Sequence, residues 1–172
     1  MLVVSDRAGI LSAVDIPVEV KRSARRRKTV EARLVDGTLR VAIPSTMTEA
    51  EEAHWVEVMR RRIDRRSRSD EIDLAARAGR LATRFALPEP SAISWSRRQA
   101  TRWGSCSVDT GRVRLSDRLA GFPDWVIDYV IIHELAHLLE AGHTPRFWEI
   151  VNRYPLAERA RGYLLARAEA GD

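Results

Sequence analysis

The sequence predicts an α+β fold, in which an apolar, histidine-bearing helix packs on a small antiparallel sheet, preceded by an N-terminal β-meander and two helices. Three observations lead there. Short alternating segments with turn signals, around residues 18–43 and 92–116, read as strands. Stretches at 48–86 and beyond 144 carry apolar residues at helical spacing. Between them WVIDYVIIHELAHLLEAGHTPRFW, Trp125 to Trp148, holds three of the chain's four histidines inside eleven residues.

The first 16 residues have no clear period and read as a loose arm. Residues 17–172 read as a single domain, with an N-terminal part over 17–90 and a core over 91–172. From Val18 the chain is strand-like. Val30–Val35 alternates, Asp36-Gly37 is a hairpin turn, and Leu39–Ile43 returns until Pro44. Thr48 with Glu51 forms a capping box for a helix to about Arg66, whose stripe is Trp55, Val56, Met59 and Ile63. A second helix, roughly Asp70–Ala86, buries Leu74, Ala78, Leu81 and Phe85 and stops at Leu87-Pro88. Three strands follow at 92–97, 101–108 and 112–116, the last two joined by Asp109-Thr110-Gly111. The histidine-bearing helix starts near Asp124 and runs through Leu139, with Gly142 placed to end it as a left-handed residue. Thr144-Pro145 opens a short helix to Tyr154, and a last helix spans about Leu156–Ala170.

Composition narrows the class. With 45% hydrophobic and 31% charged residues the chain is globular, not disordered. MLVVSDRAG lacks a basic region and a long apolar run, so it does not read as a secretory signal. The apolar run at 125–139 is too short for a bilayer and contains Asp128, His133, Glu134 and His137, so no membrane is expected. The single Cys106 excludes an intrachain disulfide and suits a reducing compartment; a cytoplasmic protein is the expectation. The net charge of +5 is uneven: residues 1–100 carry 20 Lys/Arg against 14 Asp/Glu, residues 101–172 carry 9 against 10. The excess sits in Lys21–Lys28 and Arg60–Arg68, which read as a solvated surface or, alternatively, as phosphate or nucleic-acid contacts.

His133-Glu134-Leu135-Ala136-His137 carries the chemistry. Residues four apart on a helix share a face, so His133 and His137 aim at one point, as two ligands of one Zn²⁺ must. A turn after Gly142 would return His143 as a third ligand, leaving a fourth position for water. Glu134, about 100° round the helix from His133, would stand beside that water as general base. The competing reading, a buried helix with hydrogen-bonded core histidines, explains one histidine well and three at ligand spacing poorly.

Two motifs together have a likeness. Arg102-Trp103-Gly104-Ser105-Cys106-Ser107, then a strand, then Ile127 to His137 with His143 and Phe147-Trp148, resembles the YgjP-like metallopeptidase family, related to the SprT-type proteases. The resemblance implies a zincin-like core with an HExxH active-site helix, zinc on His133, His137 and His143, and Glu134 as the catalytic carboxylate. At least one resembling protein is assigned a pyrophosphatase activity toward UTP, so the resemblance leaves the substrate class open. Ser116 and Gly142 stand where the family commonly has Asn. The metzincin pattern shares the ligand spacing but wants Gly at Glu140 and a later Met-turn, and no Met follows Met59.

The leading expectation is therefore a zinc metallohydrolase, a metallopeptidase whose zinc-bound water is activated by Glu134. The alternatives are a nucleotide (UTP) pyrophosphatase using the same site and a non-enzymatic, nucleic-acid-associated zinc module. Cys106 reads as a small packed residue rather than a nucleophile. Glu140 faces the ligand side or solvent, Arg102, Arg146 and Tyr154 are candidate oxyanion donors, and Trp103, Phe147 and Trp148 read as packing. His54 needs no role. Substrate-binding residues and oligomeric state are not legible.

Overall fold

The computed structural model describes residues 16–169. The expected N-terminal arm lies outside the described residues except for Ile16. The chain forms two compact units, residues 1–64 and 65–172, the division falling inside one long helix.

The first unit is a three-stranded sheet, β1 (Val18–Ser23), β2 (Glu31–Val35) and β3 (Thr38–Pro44), with helix α1 (Glu49–Glu71) beginning after it. Asp36 and Gly37 both adopt positive φ (50° and 73°), the backbone of a tight hairpin turn whose twist suits the strands it joins. That turn sets the antiparallel β2–β3 register, Val35 opposite Thr38. β1 instead pairs parallel to β3 on its other side, giving the order β1-β3-β2. The N-terminal strands are thus not a meander. A turn signal specifies only the pair that it joins, and β1 reaches β3 by a longer connection. Leu39, Val41 and Ile43 are buried with Met59, while Trp55, Val56 and Ile63 pack around them, as the helical stripe predicts. The capping box forms reciprocally: Thr48 N–H donates to Glu51 Oε2 (2.8 Å) and Glu51 N–H donates to Thr48 Oγ1 (3.3 Å).

The second unit holds the larger core. Helix α2 (Leu74–Phe85) is capped by Asp73, which accepts from Ala76 N–H, and ends at Ala86 in the left-handed conformation. The expected start at Asp70 is four residues early, because α1 runs on to Glu71. β4 (Ala92–Ser96), β5 (Gly104–Ser107) and β6 (Arg112–Ser116) form a second sheet in the order β4-β6-β5. β5 and β6 are antiparallel, as their short turn predicts, but β4 runs parallel to β6. The sheet is mixed, not wholly antiparallel, for the same reason as the first.

After a 3-10 turn (Asp117–Gly121) comes α3 (Asp124–Ala136), followed by α4 (Pro145–Val151) and α5 (Ala157–Glu169). α3 is buried nearly all round: Val126, Ile127, Ile131, Ile132, Leu135 and Ala136 are each at most 1% exposed. A helix apolar on every side belongs inside a core rather than on its surface. It is shorter than the sequence predicts. His137 is its C-cap, a turn carries the chain through Leu138–Glu140, and Gly142 does not take positive φ. No described helix is long and apolar enough to cross a membrane.

One ionic clamp fixes the front of α3. The Arg77 side chain, 13% exposed, donates from Nε to Asp128 Oδ1 (2.7 Å), from Nη1 to Asp124 Oδ1 (2.8 Å) and from Nη2 to the Asp124 carbonyl (2.7 Å). The aspartates hold the guanidinium charged against the cost of burial. Arg77→Ala leaves Asp128 partly buried without its cation and is expected to cost about 2 kcal/mol, measured by urea unfolding.

Candidate metal centre

Helix spacing and one loop bring the three histidines together. His133 and His137 sit one turn apart at the C-terminal end of α3. His143 comes from the joint before α4, where the Thr144 hydroxyl accepts from Phe147 N–H and Pro145 occupies the first turn. The candidate ligand atoms of the three all lie within 4.8 Å of one another. His133 Nε2 and His143 Nε2 are 3.1 Å apart. Two imidazole nitrogens on one tetrahedral zinc, each at about 2.0–2.1 Å, would be roughly 3.3 Å apart, so this pair is close to ligand spacing.

The rings have a common floor. Phe147 lies with its ring centroid 4.9, 4.5 and 4.7 Å from those of His133, His137 and His143. Trp148 stacks on His143 at 5.5 Å. Both aromatics act as packing, as the sequence predicts. His137 Nδ1 lies 3.2 Å from the Glu140 carbonyl oxygen, which fixes that nitrogen as the N–H and leaves Nε2 with its lone pair. Residue 140 thus orients a candidate ligand through its backbone, where α3 has already ended. Burial holds the pair neutral: it lowers His133 to about 3 and also lowers His137 below the ordinary imidazole value. His133 Nδ1 is buried with no hydrogen-bond partner among the described residues. Three clustered imidazoles are a donor set that a borderline-soft divalent metal fits.

Glu134 stands beside this cluster, 5% exposed. Burial pushes its carboxyl up to about 8, partly offset by the charge of Arg102. Its place depends on Gly104. A Cβ at that position would lie 2.5 Å from Glu134 Oε1 and 2.8 Å from its Cγ and Cδ, where no side chain fits. The glycine of the Arg102-to-Ser107 motif is thus a space requirement for the carboxylate. Sequence reading noticed the motif without this reason.

A cavity of about 380 Å³ opens beside His133 and Glu134, with Arg102, Trp103 and Gly104 on one wall and Arg161, Leu164 and Leu165 on another. Of the three candidate oxyanion donors only Arg102 lines it. Tyr154 donates its hydroxyl to the Trp125 carbonyl (3.1 Å), and Arg146 is an exposed residue of α4. Tyr129 and Arg161 line the cavity and were missed. Tyr129 was findable, since it precedes His133 by one helical turn. Arg161 was not, because nothing in the sequence aims α5 at the site. Ser116 is fully buried, donates to the Gln99 carbonyl (3.0 Å), accepts from Arg118 Nε (3.2 Å), and its N–H bonds the Trp103 carbonyl (2.8 Å). It therefore pins the loop that carries Arg102. Cys106 is half-buried, with its thiol pushed up to about 11 by burial and by Glu134, which suits packing and not nucleophilic work. Gly104→Ala should force the Glu134 side chain to move and cost about 1–3 kcal/mol in urea unfolding, with the far-UV spectrum unchanged.

No curated protein matches the chain. Among solved structures it is similar to the metallopeptidase zymogen jannalysin of Methanocaldococcus jannaschii, with 16% identity, 56% of this chain and 98% of that one covered, and a TM-score of 0.48. The family model described as "YgjP-like, metallopeptidase domain" matches residues 39–165, from β3 to α5. That match covers 127 of the 172 residues, and the chain belongs to the YgjP-like metallopeptidase family.

Proposed function

We propose that this chain is a zinc-dependent metallopeptidase in which His133, His137 and His143 hold the metal and Glu134 is the general base. The observation that carries the proposal is the convergence of three imidazoles, one of which, His133, lines a cavity together with the buried carboxyl of Glu134. An all-imidazole donor set favours zinc over the oxygen-loving cations. Zinc held there would supply a Lewis acid for the scissile carbonyl and lower the pKa of water to about 7.

The chain's own residues supply the rest. A carboxylate oxygen of Glu134 takes the proton of the attacking water and returns it to the leaving amine. Gly104 and the surrounding apolar side chains keep that carboxylate in one place, so its geometry is set before substrate arrives. β5 is paired only with β6 in its sheet, and its other edge offers backbone groups to an extended peptide by strand addition. The expected cytoplasmic setting is part of the same proposal and suits the unpaired Cys106.

A second reading, hydrolysis of a nucleotide at the same centre, has one observation in its favour: Arg102 and Arg161 both line the cavity. The basic N-terminal segment gives it less support. Arg22 is engaged by Glu52 (2.6 Å) and the Met47 carbonyl, Arg26 and Arg33 by Glu31 (both 2.7 Å), and Arg40 by Glu19 (2.9 Å). Part of that charge is internally matched, so the nucleic-acid partner stays a weaker proposal.

Glu134→Gln is expected to retain one zinc per chain and lose at least about 10²-fold in kcat on a quenched peptide library. His137→Ala is expected to lose both zinc and activity, with metal content measured by atomic emission. Full activity in the Glu134 variant would show that the base lies elsewhere. Pyrophosphate release from UTP by the zinc-loaded protein, absent in Glu134→Gln, would replace the peptidase reading by the nucleotide one; peptide cleavage without such release would retain it.

A further inference from the structure

The cavity beside Glu134 has a chemical character that points to what it takes. Its cations, Arg102 and Arg161, come from different walls. The Arg102 guanidinium makes no hydrogen bond or ion pair with the described residues, although its charge reaches Glu134. Arg161 is 41% exposed, pairs through Nη1 with Glu158 (2.8 Å), lies 4.7 Å over Trp148, and its charge reaches Tyr129 and His133. Glu134 is the one acidic side chain lining the cavity. Two arginine side chains therefore line one cavity, Arg161 paired with Glu158 and Arg102 without a side-chain hydrogen bond to the described residues.

The remaining wall is apolar. Val130, Leu164, Leu165 and Ala168 line it, and Leu165 is 65% exposed, a large hydrophobic side chain left bare on a cavity wall. Exposed apolar surface in a concave site next to convergent polar groups is the usual make-up of a ligand pocket. A ligand matching both features has an apolar body and a planar anion that guanidinium groups bind in a bidentate manner. A nucleoside triphosphate matches less well, because its ribose and base edges would meet Leu164 and Leu165 with their hydrogen bonds unmade.

Resting on the peptidase reading above, we propose that this cavity is a specificity pocket for a carboxylate-bearing, apolar portion of a peptide, with Arg102 and Arg161 binding the carboxylate and Leu164 and Leu165 the apolar part. The carboxylate has two sources, a free C-terminus following an apolar residue or an acidic side chain next to one. In either case the pocket sets which bond reaches Glu134 and His133, because it adjoins both.

The test uses the full-length, zinc-loaded chain and three quenched fluorescent peptides of one sequence. The first ends in leucine with a free carboxylate, the second is its C-terminal amide, and the third is the amide with one internal glutamate beside leucine. Affinity is measured in parallel with Glu134→Gln, which binds without turnover, through tryptophan fluorescence. The expected result is a KM for one carboxylate peptide about tenfold below that of the plain amide, with a matching difference in Kd. Which peptide gains identifies the source. In Arg102→Gln and in Arg161→Gln the amide-to-carboxylate ratio of KM should fall toward one, and Arg102→Lys should restore part of it. Equal KM and Kd for all three peptides, or a ratio unchanged in both Arg variants, would overturn the pocket assignment and leave the peptidase reading standing. UTP binding that depends on Arg102, with no peptide bound or cleaved, would overturn both.

Discussion

A carboxyl group is buried, and two imidazoles are half-buried, at the C-terminal end of the most apolar described helix, and the rest of the second unit is arranged around that cost. Glu134 is 5% exposed between Ile132 and Leu135, both fully buried, and nothing in an apolar core offsets its desolvation. The offset comes from shape and distant charge. β5 approaches so closely at Gly104 that the carboxylate is confined, and Arg102, on the loop before that strand, contributes the one opposing charge that acts on it.

α3 divides its labour along its length. Its first turns carry Asp124 and Asp128, bound to Arg77 of α2, so the charge there is matched and structural. Its last turn carries His133 and Glu134, with His137 as the C-cap, and there the imidazoles cluster with that of His143. The helix stops at Ala136, and the turn that follows gives the Glu140 carbonyl to His137 and delivers His143 to the same cluster. The early stop is what turns a pair of histidines into a group of three.

Both sheets repeat one plan, with the third strand central, the second strand antiparallel to it and the first parallel. In the second sheet that plan has a consequence for the site. Because β4 takes the far side of β6, β5 is left as an edge next to α3, and the loop from β4 to β5 is free to bring Arg102 and Trp103 to the cavity. Ser116 at the end of β6 anchors this loop by its side chain and its backbone N–H together.

Sequence alone determined whatever depends on near neighbours along the chain. The pairing of His133 with His137, the capping box at Thr48, the hairpins at Asp36-Gly37 and after Ser107, and the Thr144-Pro145 helix start are all set by helical or turn periodicity within a few residues. The family, too, was legible from two short motifs and agrees with the match over residues 39–165. Tertiary structure decided the rest. The parallel neighbours β1 and β4, the reason for glycine at 104, the backbone role of residue 140 and the arrival of Arg161 at the cavity that Arg102 lines each involve groups brought together by packing. Local periodicity fixes which face of an element a side chain occupies. Only the burial of α3 on all sides fixes what that face meets, because the partner is selected by the shape of the whole core.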